Sequence, residues 1–127
     1  MKYLDDYTQE ATTALLNDNG AFFAFSNQQL DERKKEGVAY VSMGAGLICP
    51  KENINRVAQG FKDIIKGGIA LDLSENGKEA IIERELANHE AYYTGDISTT
   101  VDYLNGYGFT REDILAVFRA TKINHES

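Results

Sequence analysis

The sequence predicts an α+β fold: a mostly helical single domain over residues 1–127, with a few short strands and a C-terminal helical hairpin. Three observations predict it. Apolar residues recur at three- and four-residue spacing over several long windows, whereas two-residue alternation is confined to short runs. Between residues 97 and 118, a turn and a helix-cap signature separate two apolar stripes. A chain of 127 residues can bury one core, since a domain of this size hides roughly two-thirds of its unfolded surface. At 43% hydrophobic and 26% charged residues, the composition is that of a folded chain and not a disordered one.

Leu4, Tyr7, Ala11, Ala14 and Leu15 form one face of an amphipathic first helix. Asp5 or Asp6 favours its first turn through the helix dipole, and Asn17-Asp18-Asn19-Gly20 ends it. Ala21 to Phe25 is a short apolar run, read as a buried strand or an extended core segment. Ser26 with Gln29 has the spacing of a capping box and opens a polar helix that runs through Arg33, Lys34 and Lys35 to Gly37. Leu30 is almost its only apolar anchor, so this helix is peripheral.

Val38, Tyr40 and Ser42 alternate with Ala39, Val41 and Met43, which favours β structure, and Gly44-Ala45-Gly46 bends the chain into a short strand pair. Pro50 holds Cys49 extended and stops any helix before it. Beyond it, Ile54, Val57, Ala58, Phe61, Ile64 and Ile65 follow the helical period without a miss, and Gly67-Gly68 supplies a stop. Ile69, Leu71 and Leu73 alternate with Ala70 and Asp72, predicting a short strand or extended connector that leads into Ser74-Glu75-Asn76-Gly77.

The next helix is expected from Lys78 to Tyr92, burying Ile81, Ile82, Leu86, His89 and Tyr93 and turning Glu79, Glu83 and Glu90 outward. Ile97, Val101 and Leu104 form the first stripe of the hairpin, and Asn105-Gly106-Tyr107-Gly108 its turn. Thr110 and Asp113 make a capping pair for the last helix, Phe109 is placed to staple onto Ile114, and Leu115, Val117 and Phe118 extend the apolar face. The tail Asn124-His125-Glu126-Ser127 is expected to fray.

The net charge of −7 resides in one region. Residues 72–113 hold ten acids against Lys78, Arg84 and Arg111, while the rest of the chain is balanced. That placement argues against direct nucleic-acid binding there, because phosphates require cations. It also speaks against reading the final helix pair as a DNA-binding helix-turn-helix, whose second helix would present Glu112 and Asp113 to the groove. The concentrated acids fit a surface that meets a basic protein partner, with Glu79, Glu83, Glu90, Asp96 and Tyr92 as its binding residues.

Catalytic motifs are incomplete, and no catalytic residue is assigned. Glu85 and His89 lie four apart on one helical face, and Asp96 or Glu90 would complete a carboxylate and imidazole set for a divalent ion. Neither His-Glu-x-x-His nor Glu-x-x-His is present, because position 93 is Tyr and position 86 is Leu. The competing structural reading pairs Glu85 with Arg84 or a lysine and has His89 bridge the corner from Tyr92 to Asp96. Gly44-Ala45-Gly46 with Lys51 lacks the ending of a phosphate-binding loop. The single Cys49 reads as a small buried hydrophobe. No apolar run is long enough to span a membrane, and the first residues lack the layout of a signal peptide, so a cytoplasmic protein without cofactor is expected.

Four segments carry a resemblance: Phe22-Phe23-Ala24-Phe25-Ser26, Gly44-Ala45-Gly46-Leu47-Ile48-Cys49-Pro50-Lys51, Glu85-Leu86-Ala87-Asn88-His89-Glu90 and Tyr107-Gly108-Phe109-Thr110. Together they are similar to small uncharacterised proteins of bacteriophages and mobile elements of gut bacteria. The resemblance implies a genomic setting and no activity. The expected function is therefore that of a small non-catalytic interaction or regulatory protein acting through the acidic surface of residues 72–113. The alternative is a metal-dependent enzyme or metal-stabilised domain built on Glu85, His89 and Asp96.

Overall fold

The computed structural model describes residues 1–125 and shows a mostly helical α+β chain with one small antiparallel sheet. The described residues fall into two compact units, Met1–Gly68 and the residues from Ile69 onward.

In the first unit, helix α1 (Leu4–Asp18) begins where Asp6 reaches back to accept the Tyr3 backbone N–H at 2.8 Å. This satisfies one of the donors that a helix start leaves open. The helix ends through Asn19 into Gly20, whose φ of +69° suits a glycine. Strand β1 takes only Phe22–Phe23 of the apolar run; Ala21 and Phe22 are buried as expected, but Phe23 and Phe25, expected in the core, are 49% and 74% exposed. Helix α2 (Asn27–Arg33) is capped by Ser26, whose hydroxyl accepts the Gln29 N–H at 3.2 Å. The Gln29 side chain reaches one residue further back than a capping box requires, to the Phe25 N–H at 2.7 Å. This helix stops at Arg33, short of the expected Gly37. The Lys35 N–H is instead taken by the Tyr40 hydroxyl at 2.9 Å, which draws the chain into the next strand.

Strands β2 (Tyr40–Gly44) and β3 (Leu47–Pro50) form the predicted pair, and the sheet order is β1-β3-β2. Phe22 lies opposite Ile48 and Val41 opposite Cys49, with a bulge between Ser42 and Gly44. Leu47 and Cys49 turn toward a core shared with Leu16, Ala21 and Val57, against which Met43, Ile54 and Phe61 pack. Burial raises the pKa of the Cys49 thiol, as expected of a small hydrophobe and not of a nucleophile.

Helix α3 (Ile54–Asn76) departs most from expectation: it does not stop at Gly67-Gly68, and the expected strand at 69–73 is helical. A glycine inside a helix costs only about 1 kcal/mol relative to alanine, which packing readily offsets. Gly68 has a packing role, since a Cβ there would lie 2.5 Å from Thr8 Cγ2. Gly60 similarly leaves room for Leu15, whose Cδ1 would be 2.6 Å from an added Cβ. The alternation of Ile69, Leu71 and Leu73 misled because the inward residue is Asp72, fully buried, while Leu71 is 52% exposed.

In the second unit, helix α4 (Lys78–Asn88) packs against α5 (Ala91–Thr94), α6 (Ser98–Tyr103) and α7 (Arg111–Thr121). The single helix expected to reach Tyr92 is broken at His89-Glu90, where Glu90 adopts a left-handed φ of +59°. The break changes the helical phase: Ala91 becomes buried and Tyr93, expected inside, is 91% exposed. Leu104–Tyr107 forms a 3-10 turn that joins α6 to α7 in the predicted hairpin. Thr110 and Asp113 cap α7 reciprocally, each side chain accepting the other's N–H at 3.0 Å. Lys122–His125 forms a 3-10 turn that takes in Asn124 and His125 of the tail expected to fray; Glu126 and Ser127 lie outside the described residues.

Candidate functional site

The second unit concentrates its polar chemistry in its interior. Asp72 comes from the last turns of α3, Arg84 and Glu85 from the middle of α4, and Tyr107 from the 3-10 turn. Arg84 holds Asp72 in a bidentate pair, Nη1 to Oδ1 at 2.8 Å and Nη2 to Oδ2 at 2.9 Å, while its Nε donates to Glu85 Oε2. The planar guanidinium suits this arrangement because its five donors lie in a fixed fork. Asn76 Nδ2 donates to Asp72 Oδ1 at 2.8 Å, and the Tyr107 hydroxyl to Oδ2 at 2.5 Å. Asn88 Nδ2 reaches Glu85 Oε1 at 3.3 Å, and Thr100 Oγ1 donates to the Glu85 backbone carbonyl at 3.4 Å.

Enclosure sets the electrostatics. Burial alone would raise the Asp72 pKa, but bonds from Arg84, Tyr107 and Asn76 outweigh it and hold the carboxyl below its ordinary range. Arg84 is also penalised by burial, yet its bonds to Asp72 and Glu85 bind its proton more tightly than usual. Burial raises the Tyr107 pKa, and its bond to the Asp72 carboxylate raises it further, so the phenol remains a donor. The Asp72 and Glu85 side chains are fully buried and Arg84 is 3% exposed. The charges are enclosed, and the cluster ties α3, α4 and the 104–107 turn together within the unit.

His89 stands at the edge of this network. Its Nε2 lies 3.6 Å from Glu85 Oε1, too far for a hydrogen bond, and makes none among the described residues. Its ring leans on Tyr103 with centroids 5.0 Å apart. Glu85 and His89 are thus neighbours, as their spacing implied. Asp96 does not join them: it is exposed, and its Oδ1 accepts the Ser98 N–H at 2.9 Å. That backbone bond lowers its pKa. Glu90, the other candidate ligand, is exposed at the helix break. Among the described residues, no three His, Cys, Asp or Glu side chains gather as a metal site would need. Glu85 is paired with Arg84, as the competing structural reading had it.

The proposed binding residues scatter by environment. Glu79, Glu90 and Asp96 are exposed, whereas Glu83 is partly covered and bonded to His125 Nε2 at 2.9 Å. Tyr92 is half-buried: its ring stacks on His125 at 3.9 Å and on Phe118 at 5.5 Å, and its hydroxyl bonds Thr121 at 2.5 Å. Burial is the main reason its pKa is raised. Three participants were missed in the sequence: Asp72 was taken as one of many surface acids, Tyr107 as a turn residue, and His125 as fraying. The available signals were the lone acid inside an apolar run and the large aromatic between Gly106 and Gly108.

Among the described residues, no helix is long and apolar enough to cross a membrane. No curated protein and no solved structure matches the chain. The sequence does match a family of unknown function, DUF7659, over residues 4–125. With nearly its whole length matched, the chain belongs to that family.

Proposed function

We propose that this protein is a small non-catalytic interaction or regulatory protein whose second unit meets a basic protein surface. The supporting observation is how its charges divide between interior and surface. Arg84 is consumed in the interior by Asp72 and Glu85, so the rest of residues 72–113 carries eight acids against Lys78 and Arg111. Of the eight, Asp113 pairs with Lys78 and Glu83 with His125. Glu79, Glu90, Asp102 and Glu112 are exposed and form no ion pair among the described residues. Exposed like charges of this kind steer an oppositely charged partner and set its rate of approach more than its final affinity. A cytoplasmic setting and a genomic home in phages or mobile elements complete the proposal; the second rests on the resemblance described above.

The test uses an oligolysine peptide as a defined basic probe. Its association with the unaltered chain should slow as salt rises, since screening shortens the reach of exposed charges to about 8 Å at physiological ionic strength. Glu79→Lys with Glu90→Lys should slow association further, while Asp31→Lys with Glu32→Lys should do much less. Association indifferent to salt, or equal effects from both pairs, would leave the acids with a role in solubility alone.

A further inference from the structure

The first unit holds a groove of about 400 Å³ that the acidic region does not involve. Its floor is aromatic: Phe22 and Tyr40 meet edge to face with centroids 5.6 Å apart. Phe22 is buried, and Tyr40 is fixed by its hydroxyl, which accepts the Lys35 N–H. Arg33 lies with its guanidinium 5.0 Å from the Phe22 ring centroid, and Lys35 is on the same lining. The lining also includes Asp18, from the end of α1, and Glu52, from the turn before α3. All four charged residues are exposed, and none forms an ion pair among the described residues.

The remaining wall is already braced. Asn53 Nδ2 donates to the Asn19 carbonyl at 2.9 Å, and Asn19 Nδ2 to the Leu15 carbonyl at 2.9 Å. The first bond joins the end of α1 to the turn before α3 and the second closes the end of α1, and neither uses any of the four charges. The groove therefore combines an apolar floor, two cations and two carboxylates, each still able to take a partner. Its volume of about 400 Å³ lies within the range of small-molecule sites.

We propose that this groove binds a small zwitterion with an apolar body, of the α-amino-acid class. Its carboxylate is held by Arg33 and Lys35, its ammonium by Asp18 and Glu52, and its apolar side chain lies on Phe22 and Tyr40. The two signs of charge select this class: a pure anion would meet Asp18 and Glu52 unneutralised, and a pure cation would meet Arg33 and Lys35. This inference is independent of the basic-partner reading, because none of these residues belongs to the acidic region.

The full chain, labelled for amide NMR, is titrated with L-phenylalanine, with phenylacetate (no ammonium) and with phenethylamine (no carboxylate). Phenylalanine should shift the amides of Ala21, Phe22, Tyr40 and Asn53 saturably. It should bind about tenfold more tightly than either analogue, the worth of one charge-assisted hydrogen bond. Arg33→Gln should weaken phenylalanine and phenylacetate but not phenethylamine, and Asp18→Asn with Glu52→Gln should weaken phenylalanine and phenethylamine but not phenylacetate. No saturable shift at these amides, or phenylacetate binding as tightly as phenylalanine, overturns the proposal. The analogue series on the unaltered chain decides the matter even where a variant fails to fold.

Discussion

Replacing Arg84 by methionine tests whether the interior cluster organises the second unit. Methionine keeps an unbranched apolar stem and removes every donor, leaving two carboxylates enclosed. Asp72 would retain the Asn76 and Tyr107 bonds but lose both guanidinium bonds, at 2.8 and 2.9 Å, and Glu85 would lose its Nε partner. Because both carboxylates are fully buried, their charges are left enclosed without a cation. Removing one partner of such a buried pair costs about 3–5 kcal/mol. A folded chain of this length carries a total stability on the order of 10 kcal/mol, so Arg84→Met should consume a third to a half of it. With a urea m-value near 2 kcal/mol/M, the unfolding midpoint should fall by about 2 M. Urea titration followed by far-ultraviolet circular dichroism measures this directly. A companion variant replaces the cluster with apolar groups: Asp72→Leu, Arg84→Met, Glu85→Leu and Tyr107→Phe together. With no buried charge left unpaired, it should recover most of the loss. A loss below about 1 kcal/mol for Arg84→Met, far under the buried-pair range, would mean that the carboxylates reach water in solution and that the cluster is not a closed network.

The same cluster sets an acid limit. The folded-state pKa of Asp72 lies below its unfolded value, so its contribution is fully present above about pH 4 and is lost as pH falls through the folded pKa. Asp72→Asn should flatten that part of the stability–pH curve, and an unchanged acid limb would show that other carboxylates govern it. Two adjacent glycines in α3 should respond in opposite directions. Nothing lies within 4 Å of a Cβ at Gly67, so Gly67→Ala should stabilise by about 0.5–1 kcal/mol through helix propensity. Gly68→Ala meets the buried Thr8 and should destabilise by about 1–3 kcal/mol in the same denaturation assay.

What could be read in the sequence was what local chemistry decides. Ser26 and Thr110 marked their helix starts because a cap is a contact between near neighbours in the chain. Pro50 and Gly44-Ala45-Gly46 framed the strand pair because their backbone constraints are intrinsic. Where long-range packing decided, local reading failed. Gly67-Gly68 looked like a stop, yet Gly68 serves the approach of Thr8, sixty residues earlier in the chain. Asp72 looked like the polar half of a strand pattern, since its partners Arg84 and Tyr107 lie 12 and 35 residues away. Helix α4 shows the limit of amphipathic reasoning. Ile81, Ile82, Arg84, Glu85 and Leu86 are all buried, an arc of roughly 200° at 100° per residue. A rule that assigns charged residues to the outside places Arg84 and Glu85 wrongly. The candidate metal set shows the same division: spacing brought Glu85 and His89 together and foresaw the Arg84–Glu85 pair as the competing reading, but it could not show that Asp96 would face solvent and take the Ser98 N–H.

That wide buried arc also determines where the second unit opens to solvent. A helix covered on more than half its circumference cannot fray sideways into water, so the amides of residues 81–86 should exchange with deuterium only when the whole unit comes apart. A single peptide from that stretch would then report the cooperative opening free energy of the unit. Strand β1, two residues long at a sheet edge, would acquire label through small local openings that leave the remaining structure in place.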